Sequence, residues 1–310
     1  MLRYQYLKKN KTVFKAMTGL QVAEFDQLVQ DILPSYAQAE EQRLSRPSRQ
    51  RAIGGGPDFE LEPRDQILLT VVWLRKYPTH EVLGYLYGVS DTTASRCLKR
   101  ILALLTAAGR DTMRMPMPSR KRRRQLSDLL QDVPELAVII DTFEQTVQRP
   151  QDRTEADGYY SGKKKRHTLK SQVAVDDHSG QIVDIAASVP GPTADLTVLK
   201  QSGLLDRLPA GVGGLGDLAY IGIDKLHPEG LGATPRRKPR GKPRPAADVA
   251  YNTTFSQRRI IVEHTIGRLR RYEALSQTDR HHRQGHTQRV VAVAGLVNRQ
   301  IRHRLPALAC

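Results

Sequence analysis

Five consecutive apolar residues, Leu136 to Ile140, follow Pro134 and end on an acid, Asp141. A run this short and this continuous reads as a strand buried on both faces. Such a strand needs other strands beside it and helices across it. The chain that follows supplies both. Thr168–Asp176 and Gln181–Ser188 alternate like two strands, joined by Asp177, His178, Ser179 and Gly180. Pro190 to Pro192 is expected to break the sheet. Asp195 then caps or opens a helix through Leu196, Val198, Leu199 and Leu204, and a short glycine-flanked segment carries Asp217. A loop rich in Pro, Arg and Lys, Thr234 to Pro245, leads to a helix containing Arg258–Arg271, and Val290–Ile301 makes a final apolar helix. This order predicts a mixed α/β layer over residues 134–310, with antiparallel-linked strands extended by a crossover.

The first 57 residues read as a helical region followed by a basic, glycine-rich loop. Thr18 is expected to cap a helix starting near Leu20, and Pro34 to end it. Phe14, Met17, Val22, Phe25, Leu28 and Val29 form an apolar pattern that either completes a small helical core or offers a surface to a second chain. Residues 58–108 begin with a helix opened by Pro63 and stopped by Pro78, and continue with the logic of a helix-turn-helix. Thr79 caps its first short helix, Gly84 is small where two helices cross, and Gly88 suits a left-handed turn. Ser90 caps the second helix, with Asp91 in its positive first turn. Leu83, Tyr87, Val89, Ala94 and Cys97 pack the angle. Thr92, Arg96, Lys99 and Arg100 are left outward, suited to a major groove and its phosphates. Residues 109–133 read as a basic linker, in which the run Arg120–Arg124, with Arg122 at its centre, tracks a phosphate backbone.

Charge narrows the class of partner. The 310 residues include 49 Lys and Arg against 32 Asp and Glu, a net charge of +17. A surplus of that size favours nucleic acid over an acidic protein or a membrane. Two cysteines, Cys97 and Cys310, make neither a disulfide framework nor a zinc site. The first twenty residues lack the apolar core of a secretory signal, and no run of eighteen apolar residues would span a membrane. Lys163, Lys164, Lys165, Arg166, His167 and Lys170 read as sequence-independent phosphate clamps. Arg236, Arg237, Lys238, Arg240, Lys242 and Arg244 make an extended basic loop. His281, His282 and His286 have no fourth ligand near them, so a metal there is not expected.

The helix Arg258–Arg271 carries a lone acid, Glu263, among arginines. Phe255, Val262, Ile266 and Leu269 mark its apolar face; Arg259 lies one turn before the acid and Arg270 beyond Gly267. One reading is an Arg259–Glu263 surface pair worth a few tenths of a kcal/mol. The other is a carboxylate that joins Asp141 and Asp217 around a divalent cation while the arginines hold a polyanion. Carboxylates at strand ends face the crevice where α/β sheets bind ligands. Oxygen-rich, partly hydrated coordination suits magnesium or manganese, and two such ions activate water and stabilise the leaving oxygen in phosphodiester cleavage. For each aspartate alone, a helix cap or turn role remains open.

The segments IDTFEQTVQRP, YYSGKKKRHTLKSQVAVD, PGPTADLTVLK, GDLAYIG and YNTTFSQRRIIVEHTIGRLRR resemble, in this order, the DDE transposases of the bacterial insertion-sequence-five group, whose eukaryotic relatives are the PIF/Harbinger transposases. The resemblance covers roughly residues 140–271, and the helix-turn-helix ahead of it also looks like that family's. It implies an RNase H-like α/β catalytic domain, a mixed sheet with flanking helices, preceded by an all-α helix-turn-helix domain. It makes Asp141, Asp217 and Glu263 the metal-binding triad, separated by 76 and 46 residues, with no room for a large inserted domain. Two positions depart from the family: Ala194 replaces a histidine before Asp195, and Ala219 replaces a glycine before Tyr220. Neither removes a ligand, though both bear on local geometry.

The function implied is metal-dependent cleavage of DNA at the ends of a mobile element and transfer of the 3′ hydroxyls to target DNA. It would use two Mg2+ ions, with Mn2+ as a substitute, in a homodimer or higher oligomer within the bacterial cytoplasm, associated with the nucleoid. The strand-transfer half comes from the resemblance; the residues alone support phosphodiester chemistry. A DNA-binding regulator with an unused acid triad, and a plain nuclease without strand transfer, are the competing readings. Arg259 and Arg270 join the lysine-rich block as expected DNA contacts.

Overall fold

The computed structural model of the protein describes residues 1–45, 50, 59–118, 130 and 133–304. The chain begins with α1 (Tyr4–Leu7), α2 (Lys11–Thr18) and α3 (Val22–Leu44). Thr18 does not cap the third of these. Its hydroxyl accepts the Leu20 N–H within the connection, and the cap is a Gln21–Glu24 capping box in which Glu24 takes the Gln21 N–H at 2.6 Å. Nor does Pro34 end α3. It lies on the exposed face, and so does Gln30, whose carbonyl loses its helical donor and meets water instead. The apolar pattern of this region is spent internally. Phe14, Phe25, Leu28, Val29 and Ile32 are all at most 1% exposed, with Met17 and Val22 packed against them. Phe14, Phe25, Leu28 and Val29 therefore complete the small helical core, and Met17 and Val22 remain half-buried at its edge.

Helix α4 (Pro63–Lys76) runs through the middle of this core, buried on all sides from Asp65 to Leu74. Helices α5 (His80–Tyr87) and α6 (Asp91–Arg110) form the helix-turn-helix with the expected local chemistry. Thr79 accepts the Val82 N–H, Ser90 accepts the Thr93 N–H, and Gly88 takes φ 67° between them. A Cβ on Gly84 would stand 2.6 Å from the Val89 carbonyl, which fixes how closely the helices cross.

The α/β layer contains β1 (Ala137–Thr146), α7 (Arg153–Tyr159), β2 (Tyr160–Ser161), β3 (Arg166–Asp176), β4 (Ile182–Ile185), β5 (Val189–Pro190), α8 (Asp195–Ser202), β6 (Gly213–Leu215), α9 (Ile223–Leu226), β7 (Gly232–Ala233), α10 (Ala246–Leu269) and α11 (His286–Arg304). Among the described residues the sheet order is β2–β3–β1–β6–β7, with β4 and β5 also paired to β3. The β3 pairings are antiparallel; β1–β6 and β6–β7 are parallel. The sheet continues into Pro190 because β5 lies on an edge, where a missing N–H costs no ladder bond.

β1 has two apolar faces at its start. Val138 and Ile140 join Leu199, Leu204, Tyr220 and Ile223 on one side. Ala137, Ile139 and Phe143 join α10, α11 and the N-terminal helices on the other. That second cluster is continuous from Tyr4 to Ile301 and crosses the borders expected at 108 and 134. Helices α6 and α11 meet closely within it: a Cβ on Gly295 would lie 2.4 Å from Gly109 Cα. Asn298 of α11 pairs with both backbone groups of Ile182, each at 2.8 Å, and so covers the β4 edge.

Candidate active site

Asp141 and Asp217 are aligned by the parallel pairing of β1 with β6. The last register pair is Ile139–Leu215, and each aspartate stands two residues beyond its member of that pair. β6 stops there, but β1 does not. It runs on to Thr146, so Asp141 lies within the strand and not at its end. Beyond Asp141, the buried Phe143 and Gln145 alternate with half-buried Thr142, Glu144 and Thr146. The continuous apolar run stops where the sheet's second face opens toward solvent.

Asp141 Oδ1 accepts the Thr142 N–H at 2.8 Å, and Oδ2 lies 3.8 Å from the Arg259 guanidinium. Burial pushes the Asp141 carboxyl up to about 6. The Thr142 N–H and Arg259 pull it down; Asp217 and Asp195 push it further up. Asp217 accepts the Ala219 N–H at 2.9 Å and caps the 3-10 turn Leu218–Tyr220. The cap role left open for Asp217 is thus filled, and Ala219 is exposed with its N–H as the donor, so an alanine is accommodated there. Ala194 gives α8 no side-chain cap, and Asp195 occupies its first turn. Below both acids Tyr220 is fully buried, its hydroxyl held neutral chiefly by burial and without a protein partner.

α10 carries the other groups. Its Arg258 does not sit on an exposed cationic side. It is 5% exposed and bonds Asp177 Oδ2 at 2.5 and 2.8 Å and the Pro134 carbonyl at 2.6 Å, pinning the helix to the start of β1. Arg259, 8% exposed, turns to Asp141 and forms no pair with Glu263. Arg259, Glu263, Ile266 and Arg270 follow one stripe at helical spacing. Glu263 is exposed on that stripe. Among the described residues, no group of three or more His, Cys, Asp or Glu is gathered closely enough to hold a metal ion. The fold thus brings Asp141 and Asp217 together and leaves Glu263 one turn from the arginine that faces Asp141. Mutual repulsion of three carboxylates opposes closing the set. The pair itself fits a divalent cation: both supply hard oxygen donors, and Asp141 is held where a nearby positive charge lowers the cost of ionisation.

Beside Thr142 opens a cavity of about 350 Å³ lined by Lys163, Lys164, Lys170, Asp195 and Arg270. Lys163, Lys164, Lys165 and Arg166 are exposed on the β2–β3 hairpin, and Lys165 adopts a left-handed φ of 54°. His167 is half-buried with its ring against Tyr160. Lys170 departs from its expected role as a clamp. It is 7% exposed, and its Nζ donates to Thr193 O at 2.5 Å and to Asp195 Oδ1 at 2.7 Å. Strand alternation explains this: Lys170 stands opposite Glu144 on the inner face of the pair, whereas the other lysines occupy a turn.

On α6, Thr92, Arg96 and Lys99 are exposed as expected. Arg100 is not outward. It donates to Gln66 Oε1 at 2.6 Å, lies 3.7 Å from Glu40 and stacks on Phe59, because the packed α3–α4 surface offers it a carboxylate and a ring. Arg122 and its neighbours 120–124 fall outside the described residues, as does Cys310. Cys97 is buried, its thiol pushed up to about 12 by burial, and has no chemistry to offer. Arg237 to Arg244 form an exposed loop whose base is fixed by the YN pair: Asn252 bonds both backbone groups of Arg236, and the Arg236 guanidinium stacks on Tyr251 at 4.1 Å. His286 is buried between Ser188 and Gln145, and His281 packs on Trp73 and Tyr77, so the three histidines form no common site.

Sequence reasoning missed Thr142 and Tyr220 as neighbours of the acids and read Asp195 only as a helix opener. The alternation after Asp141 was the signal that placed Thr142 beside α8.

Residues 140–298 match the model of the DDE superfamily endonucleases, and residues 59–111 match the helix-turn-helix of the same superfamily. A probable transposase for insertion sequence element IS702 from Microchaete diplosiphon is 26% identical over 288 residues, covering 93% of this chain and 94% of that protein. No solved structure matches. The matched span takes in the mixed sheet, its flanking helices and both aligned aspartates, and an RNase H-like arrangement with a helix-turn-helix ahead of it accords with both matches. With more than half of its length under one family model, the chain belongs to the DDE superfamily of endonucleases.

Proposed function

We propose that this chain is a transposase of the insertion-sequence-five group, akin to the PIF/Harbinger enzymes. It nicks DNA at the ends of its own mobile element and joins the freed 3′ hydroxyls to target DNA. The observation that carries the reading is the paired aspartates, two residues past a common register point, next to a cavity walled by lysines and Arg270. The similarity to an insertion-sequence transposase along nearly the whole chain supports it.

In this reading Asp141 and Asp217 hold divalent cations, with Glu263 as the third carboxylate, one helical turn from Arg259 on the stripe that ends at Arg270. Bound Mg2+, or Mn2+ in its place, supplies Lewis acidity for the phosphodiester oxygens and an acidified water. The chain's own residues do the rest. Lys163, Lys164 and Arg270 fix the phosphate backbone beside Asp141, with Lys165, Arg166 and His167 extending the track. Arg259 balances the buried charge of Asp141. Thr92, Arg96 and Lys99 of α6 read the element ends. Two chains act on paired ends, because one carboxylate set attacks one phosphodiester at a time. No helix among the described residues is long and apolar enough to cross a membrane, and the protein works at the bacterial nucleoid.

The test uses end-labelled duplexes carrying the inverted repeats that flank the gene, incubated with the protein and Mg2+ and resolved for nicked and joined strands. Nicked and joined products that vanish in Asp217→Asn support the reading. Cleavage that persists in Asp217→Asn rejects the metal assignment, and cleavage with no joining reduces the protein to a nuclease.

A further inference from the structure

The side of β1 away from α10 carries a hydrogen-bonded set that neither family description assigns. Thr142 Oγ1 donates to Asp195 Oδ1 at 3.1 Å, and Lys170 Nζ donates to the same oxygen at 2.7 Å. Lys170 Nζ also donates to Thr193 O at 2.5 Å, so the segment leading into α8 is tied to β3 as well. The set reaches the acid through the backbone: the Thr142 N–H donates to Asp141 Oδ1 at 2.8 Å. Thr142 is the next residue on the strand, so its side chain points away from Asp141 while its amide points at it.

We infer that Lys170, Asp195 and Thr142 form a lock that positions the Asp141 carboxylate, and that Lys170 serves this lock and not the DNA backbone. The inference rests on the reading of Asp141 as a cation ligand. The physical argument has three parts. Asp141 is partly desolvated, so its orientation is set by a few protein dipoles. The peptide that supplies one of those dipoles belongs to Thr142, whose side chain is anchored to α8. Lys170 Nζ stands 2.7 Å from Asp195 Oδ1 and supplies the countercharge to that carboxylate. Without Lys170 the lock would add a bare carboxylate behind the acid it orients. None of the three groups touches the scissile phosphate; they are positioning residues.

Thr142→Val is the cleanest probe, because valine keeps the shape and suits a strand. It should weaken Mn2+ binding, read by electron paramagnetic resonance without DNA, and lower the cleavage rate at saturating DNA by about ten-fold or more. DNA Kd and Tm should stay close to the wild-type values. Thr142→Ser, which keeps the hydroxyl, should restore both. Lys170→Met should lower the rate at unchanged DNA Kd and unchanged salt slope, and adding Asp195→Asn to it should recover part of the loss. If Thr142→Val binds Mn2+ and cleaves like wild type, the lock is wrong. If Lys170→Met weakens DNA binding, flattens the salt slope and leaves the rate at saturation intact, Lys170 returns to the phosphate clamps and the lock is also wrong. Full cleavage by Asp141→Asn would overturn the ligand assignment and the lock together; a dead Asp141→Asn beside a normal Thr142→Val would overturn the lock alone.

Discussion

The guanidinium of Arg259 lies 3.8 Å from Asp141 Oδ2, and both groups are largely shielded from water. One charge is therefore carried at a position where burial alone would favour the neutral acid. That has a measurable consequence for stability.

Asp141 has a folded-state value of about 6, above the usual carboxylate range. A group raised in this way binds its proton more tightly when folded, so its destabilising effect is absent below about pH 4 and grows as pH rises through 6. Asp141→Asn removes the ionisable group. The variant should be more stable than wild type by about 2–3 kcal/mol at pH 7.5, with the gain shrinking to nothing near pH 4. Added Mg2+ should stabilise wild type and not the variant. Thermal melts at the two pH values check this, and equal Tm values at pH 7.5 would contradict it.

In the proposed function, base reading and phosphate binding fall to separate surfaces. Arg96 is exposed on α6, while Lys163 to Lys165 occupy a hairpin turn beside the acids. Arg96→Ala should weaken binding to element ends more than to random duplex, by about 1–3 kcal/mol if it contacts a base. Replacing the three lysines should weaken both alike and reduce the salt slope by about one for each phosphate no longer neutralised. Titrations at several salt concentrations distinguish the two; equal losses on both DNAs for Arg96→Ala would make it a phosphate contact.

His286 is fully buried, bonded to Gln145 Oε1 at 2.9 Å and Ser188 Oγ at 2.7 Å, and burial lowers it to about 4. Gln145 gives its own N–H groups to Ala274 O and Gln277 O, so its oxygen must accept and His286 Nε2 must donate. Burial, with Arg289 nearby, makes the neutral ring the preferred form in the folded state. Unfolding releases the ring to its ordinary value near 6.5, so the stability is full above that pH and falls between 6.5 and 4. Denaturant midpoints should drop across that window and flatten in His286→Gln. An unchanged midpoint from pH 7 to pH 5 would contradict the assigned proton.

Arg258 and Asp177 form a buried pair that fixes α10 to the start of β1. Arg258→Met should cost about 3–5 kcal/mol by taking the guanidinium from the buried Asp177 carboxylate, and Arg258→Met with Asp177→Leu should recover much of it. Chemical denaturation of the single and double variants measures both numbers.

The legible parts of the sequence were those whose causes are local. Thr79, Gly84, Gly88 and Ser90 specify caps, a crossing and a turn from their own chemistry, and each stands where that chemistry put it. Asp141 and Asp217 stood out because apolar or glycine-flanked segments lead up to them, and the parallel register sets them side by side. Features fixed by distant partners were not legible. Pro34 is harmless because of which face it occupies, and the end of β1 depends on β3 continuing beside it. Lys170 and Arg100 look like any surface cation until strand pairing and helix packing show them Asp195, Gln66 and Phe59. Arg258 was counted with a cationic face, yet its partner lies on the β3–β4 turn.

The glycine contact between α6 and α11 makes the molecule a caliper. One jaw is the exposed edge of α6, the other is the acid pair, and the close approach of Gly109 to Gly295 joins the helices that carry them. In the proposed function, the number of base pairs between the bases read and the bond cut is then a property of the scaffold. On that reading a new address would come from changed side chains along α6, such as Thr92 or Arg96, whereas a transplanted α6 would have to rebuild the Gly109–Gly295 joint.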